Sequence, residues 1–222
     1  MKITAMIPAR MGSQRLKQKN LRELNGIPLI THAIRKSKAA DIFDEIWVNS
    51  EHLAFADIAK DEGVNFHQRP NELASNTATS EDFIYEFLQQ HPCDYVIQVH
   101  SIAPLLTAKT VKNFVETMVN SDADVLLSVV NEQIECACDD KPINFSFDGK
   151  TNSQELKSIQ RVTWSITGWR SANYIAAYES KQCATYAGKV AFFPIERLAG
   201  HIIKREEDLK IAEALLPLME NN

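Results

Sequence analysis

Four cationic side chains, Arg10, Arg15, Lys17 and Lys19, fall within ten residues around Gly12 and Ser13. Such a segment has the chemistry to hold phosphate: a glycine lets backbone N–H groups approach phosphate oxygens, and Arg and Lys offset their charge. It is neither the G-x-x-x-x-G-K-[ST] nor the G-x-G-x-x-G pattern, so those two nucleotide loops are excluded. Taken alone a basic loop is more often a solvated surface, but its place directly after an apolar strand makes a phosphate site an equal reading. His100 follows another apolar run and divides the same way, between a group that hydrogen-bonds a base or substrate and a core histidine satisfied by backbone.

The elements that must position these residues follow from periodicity. Ile3 to Ile7, Glu45 to Val48, Tyr95 to Val99 and Val125 to Val130 are short apolar runs of strand length. Between them lie helical faces: Leu29, Ile30, Ala33 and Ile34; Phe55, Ile58 and Ala59, ending near Gly63; Phe83, Ile84, Phe87 and Leu88; and Val111, Phe114, Val115 and Met118. Thr79-Ser80-Glu81-Asp82 has the form of a helix cap. Apolar strands alternating with helices imply a mostly parallel sheet covered on both faces, with ligands bound beyond the carboxyl ends of its strands. Residues 131 to 160 break the rhythm with polar and turn-rich sequence. Order resumes at Val162 to Ile166 and Val190 to Phe193, and a last helix carries Leu209, Ala212, Leu216 and Met219 on one face.

Composition bounds the function. The chain has 222 residues, 45% hydrophobic and 24% charged, with a net charge of -5, which suits one large domain and gives no electrostatic reason to expect nucleic acid. No run approaches a membrane span and the apolar start is too short for a signal peptide, so a cytoplasmic location is expected. Cys93, Cys136, Cys138 and Cys183 form no C-x-x-C pair and read as reduced thiols rather than zinc ligands.

The segment from Ile7 to Asn20 resembles the nucleotide-binding signature of CMP-acylneuraminate (sialic acid) synthetases, whose shape the CMP-KDO synthetases share. Further similarities follow in order: Asn25 to Ile30 at a turn into a helix, Val48 to Glu51, Arg69-Pro70 to Ala74, and Thr79-Ser80. The likeness covers residues 2 to 130 well and 162 to 216 more loosely. It implies a three-layer, Rossmann-like α/β nucleotidyltransferase fold with a parallel-rich sheet, in a single domain whose residues 131 to 188 form a sugar-site and dimerisation extension. It implies transfer of CMP from CTP to an acidic ulosonic sugar, a sialic-like nonulosonate in preference to KDO, with release of pyrophosphate and no covalent nucleophile. Arg10 and Lys19 are the catalytic candidates. Ala9, Arg10, Gly12, Ser13, Asn20, Arg69, Ser80 and His100 are the expected CTP contacts, Gln160, Arg161 and the nearby Gly168 mark the sugar site, and the partners are two small molecules and a second copy of the chain. Trp164 and Trp169 read as packing or interface residues.

Two departures qualify what the resemblance implies. His100 and Leu106 replace a Gln and an Arg usual in the family. Ahead of Glu206-Glu207-Asp208, where the family carries magnesium-binding aspartates, the sequence reads Ile202-Ile203-Lys204-Arg205. Magnesium is therefore an expectation without assigned protein ligands. A nucleotide- or sugar-binding relative without turnover, and a transferase using another nucleotide, are the alternatives.

Overall fold

The structure, a computed structural model, describes residues 1–75 and 77–220. Ile3–Pro8 (β1) is buried on both faces over its first five residues, as a central parallel strand must be. A 3-10 turn at Lys19–Leu21 and a small hairpin, Glu23–Leu24 (β2) with Ile27–Pro28 (β3), follow the basic loop. The hairpin turns on Asn25 (φ 52°) and Gly26 (φ 71°), the left-handed pair that a two-residue hairpin requires.

Helices and strands then alternate: Leu29–Ala39 (α1), Glu45–Ser50 (β4), Ala54–Asp61 (α2), Asn65–Gln68 (β5), Ser80–Gln90 (α3), Tyr95–Val99 (β6), Ala108–Asn120 (α4) and Val125–Glu132 (β7). Thr79 caps α3 in a reciprocal box with Asp82, as its sequence implies. A short hairpin, Ala137–Cys138 (β8) with Lys141–Pro142 (β9), precedes Ile159–Arg170 (β10), Ser171–Glu179 (α5), Val190–Pro194 (β11) and Glu206–Glu220 (α6).

The main sheet has seven strands in the order β11-β7-β10-β6-β1-β4-β5. All neighbours are parallel except β10, which runs antiparallel to both β6 and β7. One face carries Ile30, Ile34, Phe55, Phe114 and Met118 from α1, α2 and α4. The other carries Ile84, Phe87 and Tyr174 from α3 and α5, packed on Met6, Val96 and Trp169. A third cluster joins Leu16 of the basic loop to Leu24, Leu29, Ile203, Leu209 and Ala212, and so ties α6 to that loop. Each such aliphatic side chain contributes about 1.5–3 kcal/mol on full burial.

Three elements differ from the sequence reading. The polar strand β5 has no apolar run to announce it. Helix α5 does not sort its apolar residues onto one face, so periodicity misses it. Within 131–188, β10 enters the sheet between β6 and β7, and residues 133–158 connect β7 to it outside that sheet. Strand β10 is disguised because its register shifts between Val162 and Thr167, with Trp164 at φ 57°. Such a bulge resets the side-chain alternation.

Candidate functional site

Strand β1 lies between β4 and β6, and the chain order reverses across it: β4 and β5 build outward on one side, β6 on the other. A crevice must open beyond the carboxyl ends of β1 and β6, where the connections diverge. It is a cleft of about 310 Å³ whose walls are the basic loop, the turn after β6, Arg69, Phe83 and Lys204. Of the expected residues, Ala9, Arg10, Ser13, Lys19, Asn20, Arg69 and His100 all line it. Gly12 lines an adjoining groove with Met11 and Lys17.

Buried polar side chains hold the loop in place. Arg69 is 3% exposed; its Nη2 donates to the Ala9 carbonyl at 2.5 Å and lies 3.2 Å from Glu51 Oε2. Its guanidinium carbon sits 4.7 Å from the centroid of the Phe83 ring. The other oxygen of Glu51 accepts the Met11 N–H at 2.8 Å. Burial alone would raise the Glu51 pKa, but the Met11 N–H and the Arg69 guanidinium hold it below the usual carboxylate value. At the loop's far end Asn20 donates to the Arg10 carbonyl at 3.1 Å and accepts the Ser101 hydroxyl at 2.7 Å. The loop is thereby closed on itself and fastened to the end of β6.

This scaffold crowds positive charge. Arg10, Arg15, Lys19, Arg69 and Lys204 line the cleft, and among the described residues no Asp or Glu does. Burial lowers the Lys19 pKa, and the neighbouring charges of Arg15, Arg10 and Lys204 lower it further. Cations forced together in this way are stabilised by an anion with several oxygens.

His100 is not satisfied by backbone through Nε2. Its Nε2 is buried and has no hydrogen-bond partner among the described residues, while its backbone N–H donates to the Ser165 carbonyl at 3.2 Å. Burial, with a smaller contribution from Lys19, brings its pKa from 6.5 down to about 4. At neutral pH it is therefore an uncharged imidazole facing the cleft. The unfolded chain protonates this group first, so the stability it contributes is complete above pH 6.5 and is lost as pH falls towards 4. The loss is on the order of 3 kcal/mol. Urea unfolding at several pH values should show His100→Gln with a shallower acid limb than the parent; parallel limbs would contradict it.

Three expected contacts lie elsewhere. Ser80 is exposed at the start of α3 and outside the cleft; one turn on, Phe83 reaches it instead. Gln160 and Arg161 are on β10 beside the end of β7, across from Asn131 and Val130, because the strand runs antiparallel and overshoots β6. Arg161 is occupied there, with Nε 2.7 Å from Glu132 Oε1 and Nη1 3.5 Å from the Gly200 carbonyl. Gly168 is a packing position: an added Cβ would lie 2.8 Å from Ile97 Cδ1 and 3.2 Å from Phe114 Cε1. Trp169 is 1% exposed and donates to the Thr185 carbonyl, in keeping with a packing role.

Magnesium does not fit the donor set. The nearby carboxylates are engaged: Glu51 as above, Glu206 by Arg22 at 2.7 Å through both oxygens, and Asp208 by the backbone N–H groups of Lys204 and Arg205 at 2.8 Å. Among the described residues no group of three His, Cys, Asp or Glu side chains is placed to hold a metal.

Sequence reasoning left Glu51 and Ser101 without roles. Glu51 directly follows β4 and Ser101 lies two residues beyond β6, the region at which ligand-binding residues collect in such folds. That positional signal was available for each.

A family model described as cytidylyltransferase matches residues 4–193. N-acylneuraminate cytidylyltransferase A of Danio rerio is 33% identical over 129 residues, 58% of this chain and 30% of that protein. The N-acylneuraminate cytidylyltransferase of Streptococcus agalactiae serotype V is 32% identical over 133 residues, 58% of this chain and 32% of that protein. The chain thus spans about a third of the length of these curated relatives. Among solved structures, a CMP:2-keto-3-deoxy-manno-octonic acid synthetase complexed with CTP superposes with a TM-score of 0.74 at 16% identity, over 98% of this chain and 99% of that one. A 4-diphosphocytidyl-2C-methyl-D-erythritol synthase from Anaerococcus prevotii does so at 0.67 and 15%, over 97% and 98%. These structural likenesses speak for the fold.

Proposed function

The chain belongs to the cytidylyltransferase family, and on that premise we propose that it transfers CMP from CTP to an acidic ulosonic sugar, a sialic-like nonulosonate in preference to KDO. The observation that carries the reading is the cleft itself: five cations and no carboxylate gathered at the switch point of the sheet, with a neutral histidine beside them. The relatives' names favour a nine-carbon sugar acid as acceptor.

In this reaction a sugar hydroxyl oxygen attacks the α-phosphorus of CTP. The new O–P bond forms as the bond to the β-phosphate's bridging oxygen breaks, pyrophosphate leaves with that electron pair, and the hydroxyl proton passes to solvent. Arg10 and Lys19 would hold the phosphates and oppose the charge that builds on them, assisted by the backbone N–H of Gly12, while the Ser13 N–H is given to the Met11 carbonyl at 2.9 Å and shapes the loop. His100 would hydrogen-bond the nucleotide through Nε2. Ala9 and Asn20 would set the loop's shape, with Arg69 as the buried brace beneath it.

The sugar would approach along the carboxyl edge of the sheet, where β10 and segment 133–158 stand, with Arg161 as the cation on that side. To bind a sugar carboxylate Arg161 must leave Glu132. Ile134, Ile143 and Phe147 are 52%, 60% and 76% exposed in this segment, consistent with burial against a second copy in a homodimer. Among the described residues no helix is long and apolar enough to cross a membrane.

Incubation with CTP and a panel of ulosonic acids, with pyrophosphate release as the readout, tests the reading. Release with a nonulosonate is the expected result. A binding protein without turnover is the second reading, favoured by the lack of carboxylates lining the cleft; CTP binding with no pyrophosphate across the panel would select it. Thermal shifts with CTP, UTP, ATP and GTP check the base, and a purine preference would defeat the cytidine assignment.

A further inference from the structure

We propose that the cleft takes its nucleoside triphosphate as the metal-free anion, with Lys204 supplying the positive charge that a bound divalent cation would otherwise bring. The proposal rests on CTP being the nucleotide and extends that reading to how the triphosphate's charge is met.

Magnesium at nucleotide sites is held through one or two carboxylates together with substrate phosphates and water. This cleft offers no acidic lining residue. Glu51 spends one oxygen on the Met11 N–H and the other on Arg69, both parts of the loop's own scaffold. Asp208 accepts two backbone N–H groups at the start of α6, and Glu206 is forked by Arg22. Freeing Glu51 or Glu206 for a metal would break contacts that hold the basic loop and α6, and Asp208, whose Oδ2 accepts both N–H groups, stands at the helix start and not in the cleft lining.

Lys204 is set in place by its surroundings. The adjacent Ile203 is fully buried, and its N–H donates to the Ile102 carbonyl at 2.9 Å, directly beyond β6. Ile203 also packs with Leu16 of the basic loop and Leu209 of α6. The N–H of Lys204 itself donates to Asp208 Oδ2 at 2.8 Å. Its backbone is therefore fixed by β6, the basic loop and α6 together, while the side chain is exposed and reaches the cleft. An ordinary surface lysine is not anchored on three sides. Its charge is felt at Lys19, which lines the same cleft.

Charge complementarity then carries the argument. A free nucleoside triphosphate bears about four negative charges near neutral pH, and chelation of a divalent ion cancels about two of them. Arg10, Arg15, Lys19 and Lys204 line the cleft beside Arg69, whose charge Glu51 already meets, and no carboxylate lines it among the described residues; this lining suits the free anion, and a metal brought in with the phosphates would meet like charge with no lining carboxylate to offset it.

Calorimetric titration of CTP into the full chain, in EDTA and in excess magnesium chloride, is the test. The expected result is binding in EDTA that is as tight as, or about 3- to 10-fold tighter than, binding in magnesium. Lys204→Ala should weaken CTP in EDTA by about tenfold without lowering the thermal stability of the free protein, since the side chain is exposed. Lys204→Asp should reverse the response, so that magnesium tightens binding. Parent protein that binds CTP about tenfold or more tightly in magnesium overturns the proposal and leaves the cytidylyl reading standing. A Lys204→Ala variant with unaltered affinity in EDTA, or a Lys204→Asp variant with no gain from magnesium, overturns the part given to Lys204. No CTP binding in either buffer defeats both readings together.

Discussion

Arg69→Ala is expected to lower folding stability by about 3–5 kcal/mol and to remove CTP binding from the protein that remains folded. Arg69 is 3% exposed and joins three parts of the site: the Ala9 carbonyl at the end of β1, Glu51 beyond β4, and the Phe83 ring on α3. Truncation leaves the half-buried Glu51 with its charge partly uncompensated, which is the costly way to break an ion pair. It also frees the Ala9 carbonyl and the base of the basic loop. Arg69→Lys should recover part of the loss, because one nitrogen, Nη2, serves both the Ala9 carbonyl and Glu51, whereas the planar contact with the Phe83 ring is lost with the guanidinium. Urea unfolding and CTP calorimetry on parent, Ala and Lys variants check this. A stability loss below about 1 kcal/mol would show that the loop is braced elsewhere.

The second large effect concerns the cations above that brace. Lys19→Ala and Arg10→Ala should each weaken CTP by about 2 kcal/mol, roughly 30-fold, and weaken CMP by about threefold or less. Their proposed partners are the outer phosphates, which CMP lacks. Lys19 adds a second signature of opposite sign. Its pKa is lowered by burial and by Arg15, Arg10 and Lys204, so in the free protein the ammonium is a strained group. Removing it should leave the melting temperature of the free protein unchanged or raised, while the shift produced by CTP shrinks. Equal losses for CTP and CMP would contradict a phosphate role, and a large fall in the free protein's melting temperature would show Lys19 to be structural.

Both expectations rest on features that differ in how far the sequence reveals them. The elements set by neighbours along the chain are legible: the buried runs of β1, β4, β6 and β7, the four intervening helical faces, and the Thr79–Asp82 cap. Their causes are local, being apolar period, capping and turn chemistry. The basic loop is legible for the same reason, since its cations and small residues are contiguous and follow a strand. Strand β5, helix α5 and the full length of β10 are not, because an edge strand needs few apolar residues, α5 has no single apolar face, and a bulge erases alternation.

The tertiary structure decided what each chemical group is for. Arg69, read from sequence as a phosphate contact, is the buried clamp under the loop, and Asn20 is the link between that loop and β6. For His100 the structure removes the reading of a histidine satisfied by backbone, since Nε2 is buried and unpartnered among the described residues and the residue lines the cleft. Arg161 and Gln160 lie one strand across, because the antiparallel run of β10 carries them past β6. Lys204 depends most on the fold. In sequence it marks only the absence of expected acids; in the structure, Ile203 packed against Leu16 and bonded to Ile102 brings it to the cleft that Lys19 also lines. Sequence patterns report which groups a chain carries and which local elements bear them. Burial, hydrogen-bond completion and charge crowding arise between residues far apart in the chain, so the roles they determine appear only once the chain is folded.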